Sequence, residues 1–319
     1  MHVTVCICTR NRGSAIAATL RSLAASSYKD FDAVIVDQSA AEDTEQAVHE
    51  VTAGDARFSY WRSQTAGLSV ARNIALAHAR GPIIAFTDDD CDVSPDWLAL
   101  LVEYFRAYPD VGEICGEVRA ISYDPAAGHI PAFVVRSQER ISSPWAFRRA
   151  RGIGANMAFR QESLRAVGPF DELLGAGAPL YSYEDGDMTY RILKAGYSVL
   201  NAPDAYVVHS GFRSWDGGGR ALMYHAYLAA GALYMKYLRL GDLTILPTIA
   251  HQWLGDCISW KKLLMLRRGS GLANFLYCAR GMRVSFQYQI DRRRRLYLPR
   301  EQHPHIAAKT SDALASGAE

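Results

Sequence analysis

The chain of 319 residues is 49% hydrophobic and 21% charged, with a formal net charge of +2, a balance that suits a globular protein with a sizeable core and excludes a disordered one. No stretch reaches the ~18 uncharged apolar residues of a spanning helix; the nearest, residues 223–235, contains His225 and stops at Lys236, and six cysteines without a C-x-x-C pair, with a start that carries no leader pattern, point to a reduced, cytoplasmic setting. The small net charge hides a division, because residues 1–212 carry 19 Lys and Arg against 26 Asp and Glu, residues 213–300 carry 15 against 4, and residues 301–319 carry 1 against 3, so the first part suits cations and the second suits phosphates or anionic lipid.

In chain order, residues 3–8 have the apolar run of a buried strand. Leucines and alanines at helical spacing follow over 14–25, with Ser14 as the N-cap and Thr9-Arg10-Asn11-Arg12 as the intervening loop. A strand over 31–36 ending at Asp37, a helix over 42–51, a short strand over 58–61 and a helix over 70–79 continue a βαβ pattern. That pattern predicts an α/β fold with a mainly parallel sheet and a ligand site beyond the strand tips. Pro95 opens a helix over 96–108 capped by Ser94, and a strand is expected over 113–121; residues 122–152, rich in Pro and Arg, give no assignment. Apolar residues 155–159, a helix over 184–195, and two final strands over 197–200 and 205–208, the second leading into His209, complete a first domain over 1–212. Basic, aromatic-rich helices over 213–300 read as an appendage, and 301–319 as a disordered tail.

The stretch from Gly81 to Asp92 organises the rest. Gly81-Pro82 opens a short apolar run, the pattern of a strand buried on both faces, which discharges into Asp88, Asp89, Asp90 and Asp92. Carboxylates packed so closely repel, and either water or a hard divalent cation with oxygen ligands relieves them. Glu184, Asp185 and Asp187 fall in the first turn of their helix, where the helix dipole favours acids whatever else they do.

The first strand with Thr9-Arg10-Asn11-Arg12, the strand ending in Asp37, the segment Gly67-Leu68-Ser69-Val70-Ala71-Arg72-Asn73, the D-x-D of Asp88 and Asp90, Gly168-Pro169-Phe170-Asp171-Glu172, and Glu184-Asp185 with Asp187 form an ordered set. Over roughly residues 2–212 this set resembles the family 2 glycosyltransferases. The resemblance implies a GT-A fold, a Rossmann-like, mixed but mainly parallel sheet flanked by helices. It also implies metal-dependent, inverting transfer of one sugar from a nucleotide-diphosphate sugar, a UDP-sugar foremost, to a saccharide or lipid-linked acceptor in cell-surface polysaccharide or glycoconjugate synthesis. It places Thr9, Arg10 and Asp37 at the base and ribose, Arg72 near the nucleotide, Asp88 and Asp89 at the donor, and Asp88 and Asp90 on a diphosphate-bound Mg²⁺ or Mn²⁺. The physics agrees, since a cation with oxygen ligands neutralises a leaving diphosphate. His209 corresponds to a further metal ligand of related enzymes, or else is a core histidine with satisfied hydrogen bonds. Asp185 corresponds to the general base, with Glu184 orienting acceptor or base and Asp187 a supporting group. A Q-x-x-R-W signature and spanning helices, which mark processive members, are both missing, so single addition is expected.

Three other readings compete with this one. A haloacid-dehalogenase-like phosphatase shares an acidic loop after an apolar strand, but Asp92 stands where that class has Thr or Val. A sugar nucleotidyltransferase has a Gly-rich loop after its first strand, where this chain has Thr9-Arg10-Asn11-Arg12. A non-catalytic, membrane-associated carbohydrate-binding protein does not require both the D-x-D and the Glu-Asp pair. In the appendage, Tyr224, Tyr227, Tyr234, Tyr237, Trp253, Trp260 and Tyr277 alternate with Lys236, Arg239, Lys261, Lys262, Arg267 and Arg268. That alternation suits either a helix lying on an anionic membrane surface, at the inner face of the plasma membrane, or packing against the first domain or a second copy in a homodimer. No nucleic-acid partner is implied.

Overall fold

The computed structural model describes residues 1–150, 152–257 and 271–299. Trp260, Lys261, Lys262, Arg267, Arg268 and the 301–319 tail lie outside the described residues. The elements are β1 (Val3–Thr9), α1 (Ile16–Ala24), β2 (Phe31–Asp37), α2 (Asp43–Thr52), β3 (Phe58–Arg62), α3 (Leu68–His78), β4 (Ile83–Asp88), β5 (Cys91–Val93) and α4 (Trp97–Ala107). They continue with β6 (Val111–Ala120), β7 (Gly128–His129), β8 (Glu139–Ile141), β9 (Asn156–Arg160), α5 (Gln161–Val167), α6 (Glu184–Lys194), β10 (Ser198–His209) and β11 (Arg213–Ser214). The last are α7 (Arg220–Arg239), α8 (Leu246–His251), α9 (Gly271–Ser285), β12 (Gln289–Asp291) and β13 (Leu296–Leu298).

The main sheet runs β3-β2-β1-β4-β9-β6-β10-β5. Strands β1 to β4 pair in parallel, β9 lies antiparallel between β4 and β6, and β5 runs antiparallel to β10. Both faces of the central strands are covered, which explains their unbroken apolar runs. Val3, Val5 and Ile7 pack with Leu20, Trp97 and Leu101, whereas Cys6, Ile84 and Phe86 pack with Ala71, Met188 and Ile192. The centre of the sheet therefore delivers Asp88 to its C-terminal edge.

Three local expectations change. Ser14 lies inside a 3₁₀ turn, Gly13–Ala15, and no side chain caps that turn or α1. Likewise α4 closes on the Ser94 carbonyl through the Trp97 N–H at 3.0 Å, not on the Ser94 hydroxyl. The two final strands are one, β10, whose register against β6 slips between Ala202 and Tyr206, around Pro203, which has no N–H to give the ladder.

The segment read as an appendage shares a core with the rest. Leu233, Tyr234, Tyr237 and Tyr297 are buried in one cluster with Met188, Tyr190 and Ile192 of α6. Lys236 is wholly buried and contacts Asp171 at 3.0 Å and Asp187, which also receives Arg191 at 2.9 Å and the Tyr237 hydroxyl at 2.8 Å. The Tyr297 N–H donates to Asp171 at 2.8 Å. Most of the aromatic and cationic pattern of α7 thus faces inward: Tyr224 stacks on Tyr277, and Arg239 donates to the Ser285 and Tyr288 carbonyls. Gly231 and Gly281 let α7 and α9 approach so closely that a Cβ on either would strike the facing backbone. Among the described residues no helix is long and apolar enough to cross a membrane.

Glu113 in β6 is 1% exposed and, in contrast, has no cation beside it among the described residues. Burial pushes its carboxyl up to about 8 against the hydrogen bonds of Thr189 and Cys115, and its Oε2 has no partner.

Two outcomes follow. Lys236→Met leaves buried Asp171 without its cation and Asp187 with Arg191 alone, and is expected to cost ~3–5 kcal/mol, read from the urea midpoint of the full chain; a loss under about 1 kcal/mol would mean the cluster does not dock α7. For Glu113, the native state holds a proton that the unfolded chain, titrating near 4.5, has lost. Its contribution is therefore fully present below about 4.5 and is lost as pH rises to about 8, at roughly 1.4 kcal/mol per pH unit. Glu113→Gln should lose less stability than the parent between pH 6 and pH 8, and parallel losses would refute a neutral Glu113.

Candidate active site

The C-terminal tips of β1, β4 and β10 and the first turn of α6 surround a cleft of about 840 Å³. Thr9, Arg10, Arg72, Asp88, Asp89, Asp90, Glu184, Asp185 and His209, drawn from stretches far apart in sequence, all line it. Asp37 does not. Its carboxylate is fully buried, accepting the Ser39 N–H at 2.7 Å and the Tyr60 hydroxyl at 2.9 Å, and its neighbour Gln38 reaches the wall instead. Beside the cleft, Arg10, Gln38, Ser39 and Arg62 line a smaller depression of about 460 Å³.

The acid cluster is shaped by the turn after β4. β5 doubles back against β10 with Cys91 opposite His209, and this return carries Asp90 to the histidine. Asp90 Oδ1 lies 2.8 Å from His209 Nε2, and Oδ2 lies 2.6 Å from Arg12 Nη2. Arg12 Nε reaches Asp89 Oδ1 at 3.0 Å, and Arg213 stands 3.7 Å from Asp90. Burial raises the Asp90 carboxyl, but His209, Arg12 and Arg213 outweigh it and hold it below its ordinary value. Asp89 is pushed up to about 6 by burial despite Arg12. For His209 burial works downward, and the Asp90 contact overcomes it to raise the imidazole.

Asp90, Cys91 and His209 bring ligand atoms within 4.8 Å of one another. The Cys91 thiol is held protonated by burial, far above its ordinary value, and suits no hard cation. The carboxylate and imidazole do suit Mg²⁺ or Mn²⁺. His209 Nδ1 donates to the Pro131 carbonyl at 2.8 Å, which fixes the ring and turns Nε2 toward Asp90, where it could meet an ion after giving up its proton. Gly211 lies against both groups, and a Cβ there would meet Asp90 and come within 2.9 Å of His209 Nε2, so the space before them is kept clear. Asp88 stands apart from this pair, with 35% of its side chain exposed and 3.9 Å from Arg72.

Glu184 and Asp185 enter the cleft from a strained turn, because Tyr181 and Tyr183 both hold left-handed backbones, with φ of 61° and 69°. Tyr181 is stacked on His225 of α7 at 3.9 Å. Glu184 is locked to buried Arg72 at 2.8 Å. Asp185 is oriented by two backbone N–H groups, Gly154 at 2.9 Å and Gly186 at 2.6 Å, and still borders the cleft. Asp187 points away, into the Lys236 cluster. Two other motif segments brace the site: Asn73 exchanges hydrogen bonds with the Phe170 backbone at 2.8 and 3.1 Å, and Ser69 donates to the Leu174 carbonyl at 2.6 Å.

The cleft has walls that the motifs do not mark. Arg148, Gly152 and Gly154 come from the irregular stretch after β8, Arg213 follows β10, and Leu222, Met223 and Ala226 come from α7. The Arg-rich, Gly-interrupted 148–154 run was the available signal for the first of these.

The chain is similar to known proteins in sequence and in fold. The profile of Glycosyl transferase family 2 matches residues 4–168. The succinoglycan biosynthesis protein ExoM of Rhizobium meliloti (strain 1021) is 31% identical over 214 residues, 65% of this chain. A glucosyl-dolichyl phosphate glucuronosyltransferase of Haloferax volcanii is 24% identical over 183 residues, 55% of this chain. The matched regions span 66% and 58% of those relatives' own lengths. Among solved structures, the mannosyltransferase PcManGT of Pyrobaculum calidifontis in complex with GDP-Man and Mn²⁺ is similar at a TM-score of 0.58, with 19% identity, 89% of this chain and 86% of that one covered. Staphylococcus aureus TarS (1–349) in complex with UDP-GlcNAc gives 0.56, with 16% identity, 82% and 78% covered. The shared architecture is the GT-A fold.

Proposed function

Because the chain belongs to glycosyl transferase family 2, we propose that it moves one sugar, with inversion, from a nucleotide-diphosphate sugar to a hydroxyl of a saccharide or lipid-linked acceptor. The observation that carries this reading is the convergence of Asp88, Asp89, Asp90 and His209 with Glu184 and Asp185 on one cleft. Membership of this family leaves no role for the phosphatase reading of the acidic loop. Relatives named for succinoglycan synthesis and for a dolichyl-phosphate-linked sugar support polysaccharide or glycoconjugate assembly.

Asp185 is the general base. Its two oxygens are aimed by the Gly154 and Gly186 N–H groups, and each keeps acceptor capacity for the incoming hydroxyl proton. Glu184 is held by Arg72 and serves position, not proton transfer. Thr9, Arg10 and Arg72 line the donor half, with Asp88 and Asp89 beside them, and Asp37 acts through its neighbours Gln38 and Ser39. Asp90 and His209 would hold Mg²⁺ or Mn²⁺, with Asp88 at the rim of that site; the ion supplies charge neutralisation of the leaving diphosphate. Leu222 and Met223, about two-fifths exposed at the mouth, form an apolar lip on the acceptor side. Exposed Leu254, Leu272, Leu276 and Phe286, with the positive excess of this region, support a peripheral position on an anionic membrane at its cytoplasmic face.

A panel of UDP- and GDP-sugars with Mg²⁺ or Mn²⁺, followed by NMR of the product anomer, tests the reading; retention of configuration would contradict it. Asp185→Asn should lower transfer by roughly 10²- to 10⁴-fold with nucleotide affinity kept, since a base acts in the transition state. Glu184→Gln, which removes the close carboxylate of buried Arg72 and leaves it only Asp88 at 3.9 Å, should instead lose mainly stability. If Asp185→Asn keeps near-parental turnover at equal folded content, the base lies elsewhere.

A further inference from the structure

Arg12 touches both buried acids of the proposed cation site and yet cannot belong to an ion's shell, because a guanidinium has only N–H donors and no lone pair. Asp90 spends one oxygen on His209 and the other on Arg12. His209 keeps its place when an ion arrives, since its Nε2, once it has released its proton to solvent, is itself a ligand atom. Arg12 has no such option. The backbone around it is pinned: the Asn11 N–H donates to Ser39 Oγ at 2.7 Å and the Gly13 N–H to Thr44 Oγ1 at 2.9 Å, with Asn11 and Gly13 both left-handed at φ 55° and 51°. The side chain is freer, 31% exposed on the cleft wall, whereas the side chains of Asp89 and Asp90 are 7% and 8% exposed.

From this arrangement we infer that Arg12 is a resident counter-ion, which neutralises Asp89 and Asp90 while the divalent cation is away and is displaced into the cleft when the cation binds. The inference rests on the reading of Asp90 and His209 as ligands. Two buried carboxylates without a cation are costly, so the site keeps a positive charge in either state. The cation must break a charge-assisted two-pronged contact to enter, and its affinity is set against that contact.

The test is Mn²⁺ binding to the full chain without nucleotide, read from the EPR signal of free Mn²⁺, for the parent, Arg12→Gln, Arg12→Lys and Asp90→Asn. Asp90→Asn checks the ligand reading and should weaken binding. Arg12→Gln should bind on the order of tenfold more tightly than the parent, because the contact to Asp89 and Asp90 no longer has to be broken. Arg12→Lys keeps the charge without the fork and should fall between the two. Should Arg12→Gln lose folded content, the Lys variant decides: tighter binding than the parent supports displacement, and equal or weaker binding overturns it. An Arg12→Gln variant that binds Mn²⁺ no better than the parent, while Asp90→Asn is defective, overturns displacement and leaves the ligand reading standing. Absence of Asp90-dependent binding in both parent and Arg12→Gln overturns both.

Discussion

The neutralisation of the carboxylates at the tip of β4 is the constraint on which the rest of the site depends. A central strand buried on both faces can end in three consecutive acids only if cations from elsewhere come to meet them. Arg12 arrives from the loop after β1, Arg72 from α3, and His209 from the end of β10. The meeting with His209 needs β5, which folds back along β10 and sets Cys91 opposite the histidine. The parallel half of the sheet and its antiparallel edge thus converge on Asp90, and the cleft is the gap they leave.

The second foundation lies behind α6. Its first turn must present Glu184 and Asp185 from two left-handed tyrosines, an arrangement that costs energy and persists only when its surroundings hold it. That hold comes from Asp187 one turn further on, tied with Asp171 to Lys236 of α7 and, through the Tyr297 N–H, to the terminal hairpin. The helices after residue 213 are therefore part of what fixes the turn that carries Glu184 and Asp185. They also supply the cleft wall at Leu222, Met223 and Ala226, so the walls of the cleft are built from both parts of the chain.

Much of this was legible because period and position are local signals. The apolar runs of β1, β2 and β4 mark doubly covered strands, and acids at their tips mark the site edge. Asp37 was misleading for the same reason: a strand-tip acid reads identically whether it faces a ligand or, as here, accepts hydrogen bonds from Ser39 and Tyr60. Cations on α7 read equally as a lipid-facing stripe or as packing against the first domain or a second copy, because nothing in the sequence near Lys236 announces that its partners lie 65 and 49 positions earlier, at Asp171 and Asp187. Residues 122–150 lack periodicity since they form short β pieces and 3₁₀ turns whose order comes from tertiary contacts, such as the Pro131 carbonyl on His209. Arg12 was visible as a motif letter, but its contact with Asp89 and Asp90 spans more than seventy positions.

On the proposed function, Asp90 and His209 together would hold a divalent cation at the donor's diphosphate. Crystals grown with Mn²⁺ and UDP, measured at the manganese absorption edge, test it most directly. The account predicts an anomalous peak bonded to an Asp90 oxygen, to His209 Nε2 and to the diphosphate, with the Asp185 carboxylate bordering the space beyond it. An anomalous peak away from Asp90 and His209, or a bound diphosphate with no peak beside it, would contradict it.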